Sequence, residues 1–146
     1  MTTTTKHDNP NKLFPMFVTA KLDETRAFYV DKLGWIATFD MPGYLQVRSG
    51  APEGPEISFM NPDSGAASGS PSFEGRGVVV SIPVPDADEH HATLRDRGVA
   101  PRTEPTIKPW GWRSYQVADP SGVILDFFHV AAPADQSAAP PKPAQA

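Results

Sequence analysis

Cysteine is absent from all 146 residues, which removes disulfides, thiolate zinc sites, iron–sulfur clusters and a cysteine nucleophile together. Runs of basic residues are also missing. With 13 Lys and Arg against 17 Asp and Glu, the net charge is −4 and no Lys/Arg run exceeds two, so no phosphate-tracking surface forms and nucleic acid is not an expected partner. No apolar run approaches a membrane span, and Met1 to Lys12 is polar, without the apolar stretch of a signal peptide. The expectation is a cytoplasmic protein with no membrane partner. No G-x-S-x-G, Walker loop or dinucleotide fingerprint occurs, and Gly75-Arg76-Gly77 reads as a turn.

What is present suits an ordinary globular chain, with 39% hydrophobic and 21% charged residues. A chain of this size buries roughly 68 to 70% of its unfolded surface, so its core needs no staples. Proline is abundant at 17, but four lie in the last sixteen residues together with seven alanines. Residues 131–146 therefore read as a disordered Ala/Pro-rich tail and residues 1–11 as a disordered N-terminal tail. The body, 12–130, has the length of one domain.

Within that body one order of elements occurs twice. Leu13 to Ala20 reads as a strand, with Pro15 marking an edge or a bulge. A helix follows, with Asp23 as its cap, Glu24 at its positive end and Gly34 as its stop. Its residues Leu22, Phe28, Tyr29 and Leu33 fall within an arc of about 140°, a core-facing stripe. Trp35 to Asp40, Tyr44 to Ser49 and Glu56 to Met60 then read as strands separated by turn chemistry. After the Gly/Ser-rich linker 61–76, Gly77 to Val84 is a strand, and Asp86 or Asp88 caps a helix ending near Arg97 before Gly98. Val99 to Glu104, Arg113 to Val117 and Val123 to Val130 supply three strands, the last two joined at Asp119-Pro120-Ser121-Gly122. Gly34 and Gly98 stand 64 residues apart, and Leu45-Gln46-Val47 echoes Tyr115-Gln116-Val117 at a distance of 70. The spacing predicts two βαβββ modules, about 12–60 and 77–130, and an α+β fold.

The helix Arg26-Ala27-Phe28-Tyr29 ending in Lys32-Leu33-Gly34-Trp35 resembles the vicinal oxygen chelate superfamily. So does the later segment Pro109-Trp110-Gly111, Arg113 and Asp119 to Asp126. That group contains glyoxalase I, extradiol dioxygenases, fosfomycin-resistance enzymes and bleomycin-resistance proteins. The resemblance covers about 115 residues, Phe14 to His129. It implies two curved mixed sheets with helices on the convex side and ligand on the concave faces. Strand alternation then turns Leu45, Val47, Tyr115, Val117, Leu125 and Phe127 toward the helices, and Tyr44, Gln46, Arg48, Ser114, Gln116, Ile124, Asp126 and Phe128 into the cup.

Superfamily enzymes usually hold a divalent metal with His and Glu side chains from the first and last strands of each module. In this chain those positions fall on Phe14, near Ser58 with Glu56 one strand period away, on Val79 and on Asp126. Both imidazoles are gone, so the expectation is no metal and no cofactor. The four histidines lie elsewhere. His7 is in the tail, His90 and His91 read as solvated on a helix, and His129 reads as a strand-end residue that alternates away from Asp126.

An apolar cup with a few polar anchors suits a partly flat organic ligand. The expected ligand-binding residues are Phe14, Met16, Tyr44, Gln46, Arg48, Trp110, Trp112, Ser114, Gln116, Asp126 and Phe128. Trp110 and Trp112 flank Gly111 in a loop whose aromatic planes could close over a ligand. The resemblance to metal-free, antibiotic-binding members implies a homodimer that sequesters a small organic ligand, and resistance as the role. One alternative is a diverged lyase, isomerase or dioxygenase using a metal, or Asp126 as its base. The other is a domain that only dimerises or contacts proteins.

Overall fold

A computed structural model describes residues 13–51, 53–64 and 71–132. The expected tails, apart from Ala131 and Ala132, and His7 lie outside these residues. The chain divides into two compact units between Ser72 and Phe73, within the stretch expected to be a linker.

The first unit contains β1 (Met16–Val18), α1 (Leu22–Arg26), β2 (Ile36–Met41), β3 (Tyr44–Arg48) and β4 (Glu56–Met60). The second contains β5 (Val79–Pro83), α2 (Ala87–Asp96), β6 (Thr106–Ile107), β7 (Trp112–Ala118) and β8 (Ile124–Val130). Each forms a four-stranded mixed sheet, in the orders β1-β4-β3-β2 and β5-β8-β7-β6. In both, the first strand lies parallel to the last and the remaining pairs are antiparallel. The repeat seen in the sequence is thus a repeat of topology, and the fold is the α+β arrangement expected.

Pro15 precedes an edge strand, where its missing N–H costs nothing, and its carbonyl accepts from the Ser58 backbone N–H at 2.9 Å. Helix α1 departs from expectation in two ways. Its first turn follows Lys21 with no side-chain cap, and Asp23 lies inside the helix, bonded to Arg26 at 3.0 Å. From Ala27–Lys32 the coil widens into a π-helix, closed by Leu33 N–H to the Phe28 carbonyl at 2.9 Å. The stripe expected to face the core does so: Leu22, Phe28, Tyr29 and Leu33 are all buried. Tyr29 meets Trp35 and Phe59 at ring separations of 5.3 Å, which fastens the helix to the sheet.

Of the two candidate caps for α2, Asp86 is the one used. Its carboxylate accepts from the N–H groups of Asp88 at 2.9 Å and Glu89 at 3.1 Å. Asp86→Ala should therefore lower stability by about 1 kcal/mol, a fall in Tm of about 3 °C by thermal denaturation. An unchanged Tm would show the cap to be dispensable. Gly98 ends the helix at φ +83°, the left-handed geometry expected of it.

Val99 to Glu104 is not a strand. Pro101 lies within it and Pro105 follows it, and it meets β7 through Arg102 N–H to the Gln116 carbonyl and, by a side chain, through Gln116 N–H to Thr103 Oγ1. Pairing begins only at Thr106–Ile107. The turn between β7 and β8 is as expected: Asp119 accepts from Ser121 and Val123 N–H at 2.8 and 2.9 Å. Gly122 there has φ +95°, and a Cβ on it would come within 2.8 Å of Gly75 Cα, so no other residue fits.

The expected alternation of faces holds. Leu45, Val47, Tyr115, Val117, Leu125 and Phe127 are fully buried on the helix sides of their sheets. Tyr44, Arg48, Gln116, Ile124, Asp126 and Phe128 are half-buried on the opposite faces, with Gln46 and Ser114 more deeply covered.

Candidate functional site

The face of the second sheet turned away from α2 gathers five of the expected site residues, Trp112, Ser114, Gln116, Asp126 and Phe128. Register places Ser81, Asp126 and Gln116 side by side across β5, β8 and β7, with Ser114 opposite Phe128. Ser114, Ser81 and Gln116 are near enough to the Asp126 carboxyl to favour its charged form, as does the charge of Lys108. Burial outweighs these contacts and pushes its carboxyl above the ordinary carboxylate range.

Beside this carboxylate, Trp112 stacks on Phe128 with ring centroids 3.7 Å apart and planes 8° from parallel. The two are diagonal neighbours across β7 and β8, since Trp112 pairs with Val130 and Phe128 with Ser114. Trp112 is therefore the first residue of β7 and not a loop residue. Trp110 does lie in the turn, with its ring 6.4 Å from Trp112 and inclined at 70°. Phe128 covers one face of Trp112, so a flat ligand that stacks on Trp112 uses the other face.

In the first unit the expected residues Tyr44, Gln46 and Arg48 share the sheet face away from α1 with Met16, Glu56 and Ser58. Tyr44 Oη lies 2.7 Å from Gln46 Oε1, and Gln46 Nε2 lies 2.6 Å from Glu56 Oε1. A bulge in β2 between Ala37 and Phe39 brings Thr38 Oγ1 within 3.3 Å of the same Glu56 oxygen. Arg48 turns its guanidinium to the Ala51 carbonyl. Phe14 and Met16 are partly exposed at 38% and 45%. Glu56 and Thr38 were not among the expected ligand residues. The signal that could have found Glu56 is its diagonal relation to Gln46 once the hairpin register is known.

The metal implied by the resemblance does not fit these residues. Ser58 gives its hydroxyl to the Pro15 carbonyl at 3.1 Å, Phe14 and Val79 have no donor atom, and Glu56 Oε1 is occupied by Gln46. Each unit supplies one carboxylate at these positions and no imidazole, against the three or so ligands an open catalytic site needs. Among the described residues, no group of three or more His, Asp or Glu side chains could hold an ion.

Contrary to the expectation that they are solvated, the histidines of α2 pack against the sheet. His90 Nδ1 lies 2.5 Å from Tyr115 Oη, and its ring packs 4.3 Å from that of Phe127. Burial, with a smaller push from the Arg97 charge, holds its pKa down to about 4, while burial raises that of Tyr115. The phenol therefore donates and the neutral imidazole accepts. His91 is buried with its ring edge-on to Tyr115 at 4.9 Å, and its Nε2 lies 3.4 Å from Glu104 Oε2. The spacing Ala87, His91, Leu94 is a helical core stripe, and it carried the missed signal. His129 points away from Asp126, as expected, and its Nδ1 accepts from Ala87 N–H at 2.8 Å, tying β8 to the first turn of α2.

His90 sets an acid limit. Its depressed folded-state pKa means its contribution is complete above about pH 6.5 and is lost as pH falls toward 4. Discounted for partial solvent screening, the loss is about 1 to 2 kcal/mol. Urea denaturation at pH 7 and 4.5 should show wild type losing that much more than His90→Phe, whereas equal losses would remove His90 as the cause.

Among the described residues, no helix is long and apolar enough to cross a membrane. Comparison with curated protein sequences finds no match. Solved structures do resemble the chain. A glyoxalase/bleomycin resistance protein/dioxygenase from Nocardioides is 22% identical with a TM-score of 0.69, covering 87% of both chains. A bleomycin-binding protein complexed with bleomycin is 20% identical with a TM-score of 0.63, covering 82% of this chain and 98% of that one. A bleomycin resistance determinant encoded on transposon Tn5 is 19% identical with a TM-score of 0.65, covering 84% and 99%. At these identities the likeness establishes the fold. The family model for the Glyoxalase/Bleomycin resistance protein/Dioxygenase superfamily matches residues 14–127, and with the repeated sheet topology it places this chain in that superfamily.

Proposed function

We propose that this protein binds a flat, aromatic organic molecule of the antibiotic or natural-product type without a metal, and sequesters it as a homodimer. The observation that carries this reading is the Trp112–Phe128 stack beside the half-buried Asp126 carboxylate. A planar ring extends the stack, and polar groups on the ligand meet Asp126, Ser114 and Gln116. Trp110 borders the stack, while Phe14, Met16, Tyr44, Gln46 and Arg48 are proposed as ligand contacts of the first unit's own sheet. The structurally similar protein that is complexed with bleomycin supports an antibiotic of that class as the first compound to test. Exposed Met16, Phe39 and Met41 on the open side of the first sheet support a dimer, since such side chains gain from a partner.

A second reading follows from the raised pKa of Asp126, which suits a general acid or base. Incubation with bleomycin followed by mass spectrometry separates the two. Sequestration returns the compound chemically unchanged after fluorescence quenching has shown it to be bound. Conversion that disappears in Asp126→Asn would establish catalysis instead.

A further inference from the structure

We propose that Glu56 fixes the hydrogen-bond polarity of Tyr44 through Gln46, so that the first sheet receives its ligand through a hydrogen-bond donor: a protonated amine or amidine. This rests on the binding reading above and names the chemistry of the group bound.

Tyr44 and Gln46 are two residues apart on β3 and share one face, and Glu56 on β4 is diagonal to Gln46. Glu56 Oε1 lies 2.6 Å from Gln46 Nε2, and a carboxylate oxygen accepts; the Thr38 hydroxyl is 3.3 Å both from that oxygen and from the Gln46 backbone carbonyl, and divides its one proton between them. The Gln46 amide is thereby oriented. Turned over, it would set its own oxygen against the carboxylate oxygen and its NH2 against the phenol. With the nitrogen toward Glu56, Gln46 Oε1 faces Tyr44, and the phenol gives its single proton to that oxygen over 2.7 Å.

Every proton in the chain therefore runs toward Glu56. What the phenol has left is a lone pair. Gln46 and Glu56 are nearly covered, whereas Tyr44 is only half-buried, so Tyr44 Oη is the end of the chain that a ligand can reach. A ligand carbonyl or carboxylate would meet acceptor against acceptor, which is rejected. An ammonium or amidinium makes a charge-assisted bond to the phenol oxygen and gains further from the carboxylate two side chains away. Glu56 is on this account a positioning residue, acting through Gln46.

The test titrates the full chain with two probes that share a ring system, 2-(2-naphthyl)ethylamine and 2-naphthylacetate, following chemical shifts by NMR. Wild type should bind the amine about tenfold more tightly than the acetate. Tyr44→Phe keeps the Glu56 charge but removes the acceptor, and should bring the two affinities within about threefold. Glu56→Gln, which frees the chain to reverse, should do the same by strengthening acetate binding. Equal affinities in wild type would overturn the inference. So would a tenfold preference surviving in Tyr44→Phe, because the discrimination would then be long-range attraction to the carboxylate. Failure of both probes to bind wild type would overturn the binding reading and this inference with it, whereas the other two outcomes leave that reading intact.

Discussion

Phe127→Ala should remove about 3 to 5 kcal/mol from the stability of this protein, the largest effect expected of any single change considered. Phe127 is fully buried, with His90 stacked 4.3 Å from its ring and Tyr115 at 5.6 Å. Truncation removes the surface on which the His90 face of α2 rests, and the hydrogen bond from Tyr115 on β7 to His90 loses the packing that holds it in register. Folded proteins have only about 5 to 15 kcal/mol in hand, so the variant should sit close to its unfolding threshold at 37 °C. Denaturant unfolding measures this directly. A loss below about 1 kcal/mol would mean that α2 is held elsewhere, for instance by the Arg113–Asp88 ion pair, with contacts of 2.6 and 2.9 Å, or by the His129 bond to Ala87.

Trp112→Ala is expected to weaken binding of an aromatic ligand by about 1 to 3 kcal/mol, roughly 5- to 150-fold in Kd. Trp112 is half-buried and offers one ring face, its other face being covered by Phe128. Losing the stack should also cost about 1 kcal/mol of folding stability. This variant and Phe127→Ala thus differ in kind: Phe127 faces the helix and governs folding, whereas Trp112 and Phe128 face the site and govern binding. Calorimetry and thermal denaturation on the same preparations resolve the two effects. Unchanged affinity in Trp112→Ala would take this residue out of the site.

The fold was legible because its signals are periodic. Alternation along β3, β7 and β8 assigned Leu45, Tyr115 and Phe127 to the core without knowledge of the partner strands, since in a strand only the parity of a position matters. The parts that were not legible depend on contacts distant in sequence. Asp23 resembles a cap by composition, but the chain enters α1 two residues earlier, after Lys21, whose N–H is taken by Thr19 Oγ1 at 3.1 Å. The segment around Thr103 has strand-forming residues, yet its two prolines leave too few donors for a ladder. His90 and His91 depart from the solvated expectation because their buried setting comes from residues distant in sequence, Tyr115 for both and Phe127 for His90.

The candidate site was legible in outline. Asp126, Gln116, Ser114 and Phe128 do share a face, while the stacking of Trp112 on Phe128 required knowing that Trp112 had entered β7. The role of Glu56 required the register of β3 against β4 and the bulge at Thr38, neither of which leaves a mark in composition or spacing.

The central claim is that aromatic and polar side chains of the second sheet hold an organic ligand without help from an ion. Calorimetric titration of chelator-treated, metal-analysed protein with metal-free bleomycin tests it most directly. Binding should be saturable, of undiminished affinity, and lost in Trp112→Ala. Binding that vanishes with the chelator and returns on adding a stoichiometric divalent metal would contradict it.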